Sequence, residues 1–146
     1  MRKALAWGVS AALVTALVSA LVLAQMERKP SAADAEVYFI NLADGDTVSS
    51  PFLVQFGLSG MGVAPAGFDA ENSGHHHLLI NQDEAEINYG MPLPATESII
   101  HFGGGQTETL LELVPGSYDL QLLLGDFSHI PHNSPVISEK VSVTVE

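Results

Sequence analysis

From Val37 to the C-terminus, apolar and polar residues trade places in short runs of period two, broken every eight to twelve residues by glycine, proline or Asp-Gly turns. The clearest run is 52–58, where Phe52, Val54, Phe56 and Leu58 share one face. Near the end, Ile137, Val141, Val143 and Val145 point inward while Ser138, Lys140, Ser142 and Thr144 point outward, with Glu139 out of step. The pattern predicts strands over 37–40, 52–58, 75–81, 99–102, 107–114, 118–124 and 135–145, with a glycine-rich loop over 57–67. No window of helical length past the N-terminal segment carries a 3.6-residue period. About seven strands without βαβ units predict an all-β chain folded as a single antiparallel β-sandwich of immunoglobulin or fibronectin type. The segment Leu113-Val114-Pro115-Gly116-Ser117-Tyr118 adds the corner in which a tyrosine hydroxyl bonds back to the backbone.

The first residues follow other rules. Met1-Arg2-Lys3 precedes 21 uncharged residues, Ala4 to Ala24, as a basic region precedes the apolar core of an export signal. Val22-Leu23-Ala24 offers a cleavage site before Gln25; the rival reading is an uncleaved anchor, because ~20 apolar residues span a bilayer. The domain plan is therefore a signal peptide or membrane anchor over 1–24, a polar linker over 25–36 and a sandwich over 37–146. Both readings put the sandwich in the periplasm or outside the cell, with membrane contact only if the segment stays.

That compartment permits disulfides, yet the chain has no cysteine, so stability must come from the core. Loss of residues 1–24 leaves three basic residues against all 17 acidic ones, a formal charge of −14. Such a surface excludes nucleic acid as a partner and disfavours anionic lipid. Its ordinary meaning is solubility.

The chemistry concentrates in six histidines, which fall into three clusters: His75-His76-His77, His101, and His129 with His132. In a strand, residues two apart share a face about 6.6 Å apart. His75 and His77 thus converge on one side while His76 turns to the other. A metal held by this pair needs a third ligand, for which His101, His129 and His132 are the candidates. Without cysteine, an imidazole-rich site suits copper or zinc, with copper ahead by raw affinity. Met61 and Met91 are further soft candidates. His76 shares a face with Leu78 and Ile80 and reads as a buried histidine satisfied by backbone or by Asp126, both residues standing behind the ligands rather than among them. Imidazole must be neutral to bind a metal, so affinity is expected to fall below pH ~6.5.

The plainer alternative makes the histidines an internal hydrogen-bond network in a non-catalytic interaction module, whose acidic surface or 57–67 loop meets a protein of the cell envelope. An enzyme fares worse. No serine stands in a Gly-x-Ser-x-Gly context, and Gly103-Gly104-Gly105 precedes a strand and lacks the lysine of a phosphate loop, which leaves it as a tight connection. Metal-assisted hydrolysis stays formally open.

Several of these segments occur together in one known group. Val37-Tyr38-Phe39-Ile40, the Asp44-Gly45 turn, the triple histidine after Gly74, the HFGGGQTE segment from His101 and the LLGD segment running to His132 and Pro135 resemble a bacterial family of small exported domains of unassigned function. The resemblance implies an exported β-domain and brings no activity, ligand or partner with it.

Overall fold

In a computed structural model, residues 27–146 are described, and the expected export segment lies outside them. The described residues form nine strands and one short 3-10 turn, Glu84–Glu86. β1 (Glu36–Phe39), β3 (Phe52–Ser59) and β7 (Glu108–Leu111) form a three-stranded sheet in the order β1-β3-β7. β2 (Thr47–Val48), β9 (Val141–Val145), β8 (Gly116–Gly125), β5 (Ser73–Ile80) and β4 (Gly62–Val63) follow one another across a larger sheet, and β6 (Ile99–His101) pairs with β5 as its sixth strand.

The two sheets pack face to face. Val37, Phe52, Val54, Phe56 and Leu111 of the small sheet meet Leu78, Ile80, Leu120, Leu122, Leu124, Val141, Val143 and Val145 of the large one. Removal of this apolar area from water is the main favourable term of the fold, since no disulfide contributes. The expected β-sandwich is therefore found, with one correction: its pairing is mixed. β2 runs parallel to β9 and β4 parallel to β5, both at the margins of the large sheet. Two-residue strands suffice for such pairs, because the long connections around them bring the chain back in the same direction.

The predicted final strand is also shorter than its pattern. Only Val141–Val145 forms a ladder, while residues 136–138 follow β8 by single contacts, with Leu124 N–H donating to Val136 O and Leu123 bridged to Ile137. Ser138 causes the break. Its buried hydroxyl accepts Leu122 N–H (2.9 Å), and Gln121 Nε2–H donates to Ser138 O (2.8 Å), so side chains replace regular ladder bonds there. The tyrosine corner is present, Tyr118 Oη–H donating to Val114 O at 2.9 Å.

Unlike an ordinary half-solvated sheet, the large sheet is covered on both faces over β5 and the second half of β8, while β9 keeps its outward Ser142 and Thr144 exposed. Leu79 and Leu123 on its outer face pack with Leu93 and Ile99, and with Ile87, Tyr89 and Ile137 at the edge of the cluster. This explains why β5 is buried from Gly74 through Ile80 and β8 from Leu120 through Gly125, with no polar alternation. Part of the segment read as a linker also lies on the domain. Arg28 Nε–H donates to Pro131 O (3.0 Å), Asn133 N–H to Lys29 O (2.8 Å) and Ser31 N–H to Asn133 O (3.0 Å), while Lys29 pairs with Asp69.

Candidate metal centre

β5 alternates faces as any strand does. Gly74, His76 and Leu78 face the sandwich core, and His75, His77 and Leu79 face outward beneath the covering loops. His75 and His77 are both fully buried, their rings 4.6 Å apart between centroids. β6 pairs with β5 so that His101 lies directly opposite His77, which brings their rings to 4.4 Å edge to face. The turn after β8 supplies the fourth ring. His129 takes a left-handed backbone conformation (φ 69°) and sits 4.7 Å from both the His75 and His101 rings.

Asp126 shapes that turn. Its Oδ1 accepts Ser128 N–H (2.8 Å), Ser128 Oγ–H (2.8 Å) and Ile130 N–H (3.0 Å). His129 N–H donates to Asp126 O, and Leu93 N–H to His129 O, so the left-handed residue is fixed from both sides. The support expected from Asp126 thus acts through the loop backbone; among the described residues it bonds to no histidine ring.

One ring nitrogen from each of His75, His77 and His129 lies within 4.8 Å of the other two. His75 Nε2 and His129 Nδ1 are 2.9 Å apart, and His77 Nε2 and His129 Nδ1 are 3.4 Å apart. Metal–nitrogen bonds of about 2.0–2.1 Å place neighbouring nitrogens about 3.3 Å apart in a tetrahedral shell and about 2.9 Å apart in a square one. The two contacts made by His129 match these spacings, and the three rings could hold a single transition-metal ion. In its absence, a proton shared between His75 and His129 can hold the 2.9 Å contact.

The remaining histidines divide. His101 Nε2–H donates to Pro94 O (3.1 Å), and the half-buried ring lies beside the three-nitrogen group without belonging to it. His132 is apart from the cluster. Its Nε2–H donates to Ser73 O (3.2 Å) and its Cε1 lies beside Gly74, on the opposite face of β5 from His75 and His77. Met61 packs against the sandwich core, and Met91 is exposed. The glycine run closes on itself, with Gly105 N–H donating to Phe102 O and Gly104 N–H to Gln106 Oε1.

His76 faces the sandwich core. It is fully buried against Phe56, with ring centroids 5.2 Å apart, and its ring meets the backbone of Gln106 and Gly57. Burial lowers its pKa, tempered by the nearby backbone of Gln106 and Gly57.

Burial also dominates the electrostatics of the cluster. It pushes His75 down to about 4, with repulsion from His129 and His101 adding to it and Asp126 opposing. His77 falls to about 2, again mainly by desolvation and then by repulsion from His75, His101 and His129. Burial lowers His101 and His132 as well. The expected loss of metal affinity just below pH 6.5 therefore moves lower for His75 and His77, which remain neutral at pH 5.

Gly125 was not singled out by the sequence pattern, yet the site depends on it. It lies opposite His75 in the β5–β8 ladder, and a Cβ there would stand 2.5 Å from His77 Cε1 and 3.1 Å from His77 Nδ1. Gly125→Ala must displace the His77 ring and is expected to weaken metal binding by on the order of tenfold or more while the domain stays folded. Unchanged affinity in a calorimetric titration would separate His77 from the metal. The signal available in the sequence was a lone glycine ending an apolar run, which marks close approach of another group.

Comparison with known proteins adds a family and no activity. A family model described as a domain of unknown function (DUF4399) matches residues 54–146. No curated protein and no solved structure matches the chain.

Proposed function

This chain belongs to the DUF4399 family, a domain of unknown function, and we propose from its own side chains that it is an exported carrier or buffer for one transition-metal ion. The observation that carries the reading is the convergence of three ring nitrogens, from His75, His77 and His129, within 4.8 Å of one another. Two of the three rings are fully buried and held in the neutral form a metal requires. Copper stands ahead of zinc because a set of imidazoles without thiolate or carboxylate leaves the choice to intrinsic affinity order. Export rests on the apolar run after Arg2-Lys3 in the sequence.

A hydrogen-bond network in an envelope interaction module is the competing reading, and the 2.9 Å contact between His75 and His129 favours it. Against it, His75 Nδ1 is buried without a partner, and among the described residues His132 bonds to the Ser73 backbone and to no other ring. A network built for satisfaction joins its rings to one another and leaves no buried nitrogen idle. Titration of Cu(II), and separately Zn(II), into the chelator-stripped protein, following heat and melting temperature, separates the two. The metal reading requires one ion per chain, a micromolar or lower Kd and a rise in melting temperature. An intact fold that takes up neither ion would overturn it in favour of the interaction module.

A further inference from the structure

We propose that a metal ion held by His75, His77 and His129 keeps one coordination position open, beside His101, for a small anionic ligand from outside the protein. The inference rests on the metal-site reading and extends it from the ion to what the ion binds.

Three observations lead there. Among the described residues the group of converging ligand atoms contains three members, with no carboxylate and no fourth ring. Closed structural sites supply four protein ligands, whereas three leave a position for an exchangeable group. His101 is the nearest candidate to close the shell. Its Nε2–H is engaged by Pro94 O, however, and its ring stacks on His129 at 4.7 Å with a 30° interplanar angle instead of turning into the nitrogen group.

The second observation is charge. All three ligands are neutral imidazoles, so a divalent ion keeps its full charge in a buried setting, and an uncompensated buried charge is strongly disfavoured. Asp126 is buried and close enough to act on His75, but three donors of the 126–130 turn hold its Oδ1 and neither of its oxygens joins the group of converging ligand atoms. An external anion supplies the missing compensation directly on the ion.

Access is the third. His75 and His77 are sealed against solvent, while His101 and His129 are only half-buried, so the approach to the ion runs past these two rings. The ligand class is a small monodentate anion such as a halide, azide or the carboxylate of a short acid. Its size is limited by the flanking rings, which lie 4.4 to 4.7 Å apart by centroid.

The test uses the protein loaded with one Cu(II) per chain and titrated with sodium azide, followed by visible absorption and electron paramagnetic resonance. The expected result is a new azide-to-copper charge-transfer band that saturates at one azide per copper, in both the parent protein and His101→Ala. Copper bound at one per chain with no azide response in the parent, but a response in His101→Ala, would identify His101 as a fourth ligand and overturn the open position. Absence of a response in both proteins would overturn it too, leaving the metal site itself standing. Failure to load copper or zinc at one ion per chain would remove the metal-site reading and this inference together.

Discussion

Replacing His75 and His77 together with alanine is expected to weaken copper and zinc binding by on the order of a hundredfold or more. Loss of a residue that only orients a ligand already costs about 10–100-fold in metal affinity, and this variant removes two of the three ligands themselves. The fold should survive. Both side chains lie on the outer face of the large sheet, away from the cluster that joins the two sheets. Two small voids weaken the packing, but a buried nitrogen without a partner, His75 Nδ1, disappears with its ring. His132→Ala serves as the control, since that ring bonds Ser73 O on the other face of β5 and should leave affinity within a few-fold of the parent. Retained affinity in the double variant, with circular dichroism unchanged, would place the metal elsewhere.

The metal-stripped protein is expected to lose several kcal/mol of stability between pH 6.5 and pH 4. In the unfolded chain His75 and His77 take up protons near the ordinary value of about 6.5. In the folded protein they are held down to about 4 and about 2. The unfolded state therefore binds more protons across this window, and stability falls as pH falls. It is fully present above pH 6.5; the His75 share is lost by about pH 4, where that ring protonates in the folded state too, and the His77 share goes on falling to about pH 2. At about 1.4 kcal/mol per pH unit, each residue accounts for about 3 kcal/mol by pH 4. The sum overstates the total, because part of the depression of each ring comes from its histidine neighbours. Even half of it is a large share of the stability of a domain this size. Urea denaturation at pH 7.0 and pH 4.5 should show the drop, and the His75→Ala/His77→Ala protein a shallower one. Equal midpoints for the parent at the two pH values would contradict the burial of these rings.

How far such properties can be read from sequence depends on whether they are local. The alternation in 52–58 and the apolar run of 118–124 carry their strands directly, because each residue meets the same core at every second step. The turn residues between them mark most boundaries within a few positions. Mixed pairing was hidden, since β2 and β4 are two residues long and owe their direction to loops. Burial of both faces of β5 and β8 was hidden as well. It is produced by the 87–93 loop together with Ile99 and Ile137, which lie in the strands predicted over 99–102 and 135–145.

The site shows the same division. Convergence of His75 and His77 follows from strand geometry alone. The third position needed tertiary information: His129 joins them because Asp126 bends the chain after β8, whereas His132, three residues further on, falls on the other face. Nothing local distinguishes those two histidines. Likewise, the packing of His76 against Phe56 and the space that Gly125 leaves for His77 arise only when β8 is laid against β5 and the sandwich closes.

The most direct measurement is a nitrogen-15 correlation spectrum of the imidazole rings in selectively labelled, chelator-stripped protein, recorded before and after one equivalent of Zn(II). The expected result is a coordination shift at one ring nitrogen each of His75, His77 and His129, with His76 and His132 unchanged. A spectrum that does not change, or shifts centred on His132 or His76, would contradict the three-imidazole centre.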